Sequence, residues 1–136
     1  MSGLIGGAGS KSGMISETEL DYEEGEWTPA SSNGGWTIGS LVKNRYVRIG
    51  NICHLYFFFY LPASGSGNIT GSGLPFTPKA THYPGGICYT DAGITTISLR
   101  IESPSWAIRT FHNDAYVDCS SMNGDYVGGG VTYQIA

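Results

Sequence analysis

The sequence predicts an all-β fold: a single jelly-roll-like β-sandwich preceded by an extended N-terminal arm. Three observations predict it. Charged residues make up 13% of the chain and aromatic residues 12%, a balance unsuited to helices, whose exposed faces need many Lys and Glu. Short stretches of alternating apolar and polar side chains recur between clusters of Gly, Pro, Asn and Asp, the spacing of strands in a sandwich or barrel. No segment carries a convincing helical repeat of apolar residues. With 136 residues the chain is one domain's worth of sequence.

In chain order, residues 1–16 read MSGLIGGAGSKSGMIS, glycine and serine with isolated Leu4, Ile5, Met14 and Ile15. Such a stretch buries too little apolar surface alone to offset its ordering entropy, so it reads as an arm that needs a partner. Residues 17–26 hold six of the eleven acids and form an acidic collar, read as extended or turn-rich because Gly25 and Pro29 interrupt any helix. The division is thus an arm and collar over residues 1–26 and a body over residues 27–136.

The strongest strand signal is residues 46–61. Cys53, Leu55, Phe57, Phe59 and Leu61 share one face, and His54, Tyr56, Phe58 and Tyr60 share the other. Both faces are apolar or aromatic, so one is expected under a second layer and the other under a subunit contact or loop. Gly50-Asn51 is expected to break or bulge this run, giving two shorter strands. Residues 62–78 read as a flexible loop ending at Leu74-Pro75-Phe76. Residues 85–89, 94–101, 106–111, 115–119 and 131–136 read as further strands, for a total of seven or eight.

From Trp27 onward five acids face six bases, so no basic stripe awaits phosphates and nucleic-acid binding is disfavoured. The longest apolar run falls short of the ~20 residues of a membrane helix, and the N-terminus lacks the pattern of a signal peptide. A chain made in, and remaining in, a cytoplasm-like compartment until release is expected. Cys53, Cys88 and Cys119 lie more than thirty positions apart, which excludes CxxC motifs and predicts free, buried thiols.

No nucleophile elbow, phosphate loop, zinc-protease motif or calcium loop is present. Glu23-Glu24 read as a solvated turn, and His54, His82 and His112 are isolated. Asp114 and Asp118 offer oxygens to a hard cation, but Asn113-Asp114 reads better as a turn between strands. Trp36, Trp106 and Tyr83 would stack sugars if exposed; core packing is the expected use of at least two of them. No enzyme activity, cofactor or metal is expected.

Leu20-Asp21-Tyr22-Glu23-Glu24-Gly25-Glu26-Trp27-Thr28-Pro29, behind its Gly/Ser-rich lead, resembles a segment that recurs in virion proteins of tailed bacteriophages. There an L-D-Y-E-E-G-x-W-T-P run opens a small β-rich module. The likeness continues in order with Tyr46-Val47-Arg48-Ile49-Gly50-Asn51, Gly73-Leu74-Pro75-Phe76 and Val131-Thr132-Tyr133, and so spans nearly the whole chain. The resemblance implies a structural or binding module of a phage particle, usually trimeric, and no enzyme. In fibres the module ends a much longer chain, whereas here Met1 directly precedes the arm, which favours a free-standing capsid decoration or cement protein.

On that expectation the partners are two further copies in a homotrimer and the major capsid protein. The arm reaches the capsid through Leu4, Ile5, Met14, Ile15, Leu20, Tyr22 and Trp27, and the trimer forms through His54, Phe57, Phe58, Phe59 and Tyr60. The protein would be made in the host bacterial cytoplasm and reside on the virion. The alternative is a tail-fibre tip that holds host surface glycans through residues 63–72, or near Trp106 and His112.

Overall fold

The computed structural model describes residues 21–32, 35–41, 43–62, 65–80, 83–93, 97–110 and 112–136. They form ten strands: β1 Tyr22–Glu26, β2 Ala30–Ser31, β3 Ser40–Leu41, β4 Arg45–Ile49, β5 Ile52–Tyr60, β6 Thr70–Ser72, β7 Gly85–Thr90, β8 Ile97–Glu102, β9 Ser105–Thr110 and β10 Tyr126–Gln134. One 3₁₀ turn, Cys119–Met122, precedes β10. The fold is all-β. Every pairing is antiparallel, along the path β1-β4-β5-β10-β7-β8-β9-β6-β2, with β3 beside β4 on the same edge of β5.

The two ends of this path, β1 and β2, are separated in the chain only by residues 27–29. Four Cα steps of ~3.8 Å span at most about 15 Å, so the sheet must roll until its ends are neighbours. The rolling brings distant strands face to face. Phe59 of β5 and Trp106 of β9 lie four strands apart in the path, yet their ring centroids are 5.8 Å apart. The two facing layers are therefore parts of one sheet.

Period-two alternation fills the space between them. Cys53, Leu55, Phe57, Phe59 and Leu61 point inward with Ile97, Leu99, Ile101, Trp106, Ile108, Val127, Val131 and Tyr133. Trp36 meets Trp106 edge-on at 6.0 Å, and the Trp106 indole N–H donates to the Ser72 carbonyl at 2.9 Å, so this large ring buries no unpaired donor.

The four segments that carry the phage-module resemblance meet in this fold. β1 pairs with β4 in the register Tyr22↔Ile49, Glu23↔Arg48, Gly25↔Tyr46 and Glu26↔Arg45. Arg48 bridges Asp21 at 2.5 Å and Glu23 at 3.6 Å, and the Tyr46 hydroxyl donates to Glu23 at 2.6 Å. A Cβ on Gly25 would fall 2.8 Å from the Tyr46 ring, so glycine lets that ring lie across the strand. Phe76 packs edge-on against Tyr46 at 5.3 Å and under the Arg48 guanidinium at 5.2 Å. The Tyr133 hydroxyl donates to the Phe76 carbonyl at 3.0 Å, completing the cluster.

Trp27 follows β1 directly and is only 4% exposed. Its backbone N–H donates to the Asn44 carbonyl at 3.1 Å and its indole N–H to the Tyr56 carbonyl at 2.9 Å. Pro29, two residues on, is also buried.

Several expectations change. The acidic run Tyr22–Glu26 is a strand of the sheet, so the body begins before residue 27; cross-strand partners on β4 compensate its charge. Residues 115–119 are no strand. They make single bridges, Tyr116 to Arg109 and Asp118 to Asn68, because the Asp118 carboxylate turns to accept from the Ser120 N–H at 2.9 Å and its hydroxyl at 2.6 Å, capping the 3₁₀ turn. The loop read over residues 62–78 contains β6 beside the fully buried Ile69. The last strand starts at Tyr126 rather than residue 131, because β5 pairs with it along its whole length, glycines included. Gly50-Asn51 does split the long apolar run, as a two-residue hairpin turn with Gly50 at φ 58°.

Trp27→Ala is expected to destabilise the body by about 3–5 kcal/mol, read from the urea midpoint. A change below ~1 kcal/mol would show that residues 27–29 do not hold the ends together.

Candidate functional site

The outward side of β5 and its neighbours is a continuous aromatic surface, and register assigns its members. Along β5 the outward residues are Ile52, His54, Tyr56, Phe58 and Tyr60, opposite Gln134, Thr132, Gly130, Gly128 and Tyr126 of β10. On the far side of β5, Ile49, Val47 and Arg45 of β4 face Ile52, His54 and Tyr56. On the far side of β10, Tyr89 of β7 faces Gly128.

The glycines of β10 explain how the rings lie. An added Cβ at Gly128 would fall 2.4 Å from the Phe58 ring, and one at Gly130 would stand 3.4 Å from the His54 imidazole. The Phe58 ring therefore leans over β10 at Gly128. Phe58 stacks on Tyr126 at 5.3 Å with an interplanar angle of 5°, and Tyr60 packs on the same ring at 5.1 Å. His54 shares a 2.6 Å hydrogen bond with the Thr132 hydroxyl and meets Tyr56 edge-on at 4.6 Å. Other side chains of this face are uncovered: Ile87 of β7 is 83% exposed, Tyr89 63%, and Tyr22, Ile49, Ile52 and Tyr56 are exposed as well. The charges of this face, Glu24, Glu26 and Arg45, gather at its β1–β4 edge, which leaves the apolar stretch as the candidate contact surface.

The sequence-predicted contact residues separate here. His54, Phe58 and Tyr60 lie on the outer face. Phe57, 3% exposed, and Phe59, fully buried, are core residues; consecutive strand positions point to opposite faces, so they cannot join their neighbours in an intersubunit contact. Tyr22 is exposed on β1, whereas Trp27 is spent inside the body and is not free to grip another surface. Leu4, Ile5, Met14, Ile15 and Leu20 lie outside the described residues. Tyr126 was missed because a glycine-rich stretch does not read as a strand. Ile87 and Tyr89 were legible as alternate positions of residues 85–89, but not as exposed ones.

The other polar candidates are structural. Asp114, at φ 54°, pairs with Arg100, whose guanidinium holds its carboxyl below the usual carboxylate range. Arg109 binds Glu102 through two nitrogens, at 2.5 and 2.8 Å, and lies 3.3 Å from the centre of the Tyr116 ring. Asp118 caps the 3₁₀ turn. Among the described residues no group of His, Cys, Asp and Glu is placed to hold a metal ion, and no helix is long and apolar enough to cross a membrane. Trp36 and Trp106 are core residues, while Tyr83 is exposed beneath Arg100 at 4.9 Å. His112 is exposed, and His82 lies outside the described residues.

Cys53, Cys88 and Cys119 are free and buried, and burial raises all three thiols, Cys88 to about 12. Comparison with known proteins finds no matching family model, no similar curated protein and no similar solved structure.

Two outcomes are expected. Ile87→Asp and Tyr89→Asp should each change stability by less than ~0.5 kcal/mol in chemical denaturation, because neither side chain is packed. The thiols give the second. A folded pKa above the unfolded one means that the unfolded state loses its proton first, so stability present below the ordinary value of 9.0 is lost as pH rises toward about 12. Urea midpoints should fall across that window, and less steeply in Cys88→Ala.

Proposed function

We propose that this chain is a structural protein of a bacteriophage virion: a homotrimeric decoration or cement protein that sits on the capsid surface and stabilises a shell built of major capsid protein. The observation that carries this reading is the L-D-Y-E-E-G-E-W-T-P run at residues 20–29 together with its three companion segments. Their meeting in space supports reading them as one module: Asp21 and Glu23 reach Arg48, Phe76 packs on Tyr46, and Tyr133 bonds to Phe76. The role is binding and structural rather than enzymatic, and the body's finer architecture is proposed to be of the jelly-roll kind.

In this reading the trimer forms through the outer face, with Phe58 stacked on Tyr126, Tyr60 tilted against the same ring, and His54 beside them. The segment carrying Leu4, Ile5, Met14, Ile15 and Leu20 grips the capsid. Burying a stacked aromatic cluster is a strong source of association energy, since such rings dominate interface energetics. The second reading, a tail-fibre tip that binds host surface glycans, is favoured by exposed Tyr56, Tyr83 and Tyr89, whose ring faces suit the apolar faces of sugars.

The deciding measurement is copy number in purified virions, by quantitative mass spectrometry against the major capsid protein. A simple whole-number ratio to the shell subunit is expected; a handful of copies per particle would replace the cement reading with the fibre tip. Phe58→Asp and, separately, Tyr126→Asp should abolish trimers in light scattering. Intact trimers in both variants would remove this face from the subunit contact.

A further inference from the structure

The chain contains two Asn-Gly dipeptides, Asn33-Gly34 and Asn123-Gly124. Glycine has no side chain to screen its backbone nitrogen, so in an open chain each dipeptide is a place where the asparagine amide is lost spontaneously. Asn33-Gly34 lies outside the described residues. Asn123-Gly124 joins the 3₁₀ turn to β10, and there the groups that would react are already engaged.

The Asn123 side chain and the backbone of Gly65 exchange hydrogen bonds. The Gly65 N–H donates to Asn123 Oδ1 at 3.0 Å, and Asn123 Nδ2 donates to the Gly65 carbonyl at 3.2 Å. The Cys119 thiol lies 3.7 Å from the same Oδ1. Gly124, at φ 82°, directs its own N–H to the Leu61 carbonyl at 3.0 Å. Residue 65 comes this close because it is glycine; a Cβ there would run into Cys119 Sγ. Asn123 is half-buried and Gly124 exposed, so solvent reaches the dipeptide while these bonds hold its atoms in place.

We propose that Asn123 is a modification site governed by the fold: it keeps its amide while bonded to Gly65 and is converted to aspartate or isoaspartate once those bonds break. In the reaction the Gly124 nitrogen bonds to the Asn123 side-chain carbonyl carbon, and the side-chain nitrogen leaves as ammonia with the proton that the Gly124 amide gives up. Water then opens the cyclic imide at either carbonyl. Neither product can resume the native contact. A carboxylate has no N–H for the Gly65 carbonyl and sets a negative charge against that oxygen. Isoaspartate also adds a methylene to the main chain three residues before Tyr126, on whose ring Phe58 and Tyr60 pack. The conversion is therefore one-way and marks chains that have opened at this corner. This inference goes beyond the assembly role proposed above and does not depend on it.

The test is peptide mapping of the full chain after incubation in mildly alkaline buffer, with and without urea. In urea both dipeptides should be converted, with Asn33-Gly34 as the internal clock. In the folded protein Asn123 should be converted at least ~30-fold more slowly than in urea, because the reaction waits for a local opening. Gly65→Ala, checked for folding by circular dichroism, should raise the rate in buffer by ~10-fold or more. Asn123→Asp, which does not rely on that variant folding, should speed hydrogen exchange at the Gly65 amide. Equal rates at Asn123 with and without urea would overturn the proposal, as would conversion of Asn33 alone in urea. A Gly65 amide that exchanges as slowly in Asn123→Asp as in the parent would overturn the one-way step.

Discussion

The join at residues 27–29 is the constraint on which the rest of the structure depends. A sheet whose two end strands are three residues apart in the chain has no choice but to roll, and Trp27 fixes how far. Its two N–H groups bond to carbonyls at Asn44 and Tyr56, so one residue ties the seam both to the stretch before β4 and to the middle of β5. Burying the indole supplies apolar area, and satisfying its N–H avoids the penalty that an orphaned donor would carry. The ion pairs of β1 with β4 are largely exposed and add little energy singly; their effect is to set register, since a one-residue slip would turn Glu23 away from Arg48.

Rolling has a second effect, on the outside. The inner face of β5 is filled by its own core partners, which leaves His54, Tyr56, Phe58 and Tyr60 to find neighbours on the outer surface. Gly128 of β10 answers part of that demand by making room for the Phe58 ring. The same glycine provides no cover for β7, so Ile87 and Tyr89 stand in water.

Much of this was legible in the residues. The all-β class, the two faces of β5, the break at Gly50-Asn51 and the free buried thiols all follow from alternation, turn chemistry and cysteine spacing. What was not legible depends on partners distant in the chain. β10 is a strand through its glycines because β5 pairs with it, against local propensity. Phe57 and Phe59 look interchangeable with Phe58 in a run of three aromatics, and only register separates them. Trp27 reads as a residue with which the arm reaches the capsid, and its burial depends on a carbonyl 29 positions away.

The place of β10 in the sheet bears on how the chain comes to be folded at all. It is the latest of the ten strands in chain order, yet it sits between β5 and β7 and joins the two halves of the path. Before it arrives, the hairpins β4–β5 and β8–β9 can form from near neighbours, but each exposes an unpaired edge and half a core. Closure must wait for residues 126–134 to slot between them, a long-range step that makes for slow folding. Until then β5, with the most apolar sequence in the chain, is the stretch most open to pairing with the wrong partner, which gives a nascent chain reason to meet its own C-terminal strand quickly.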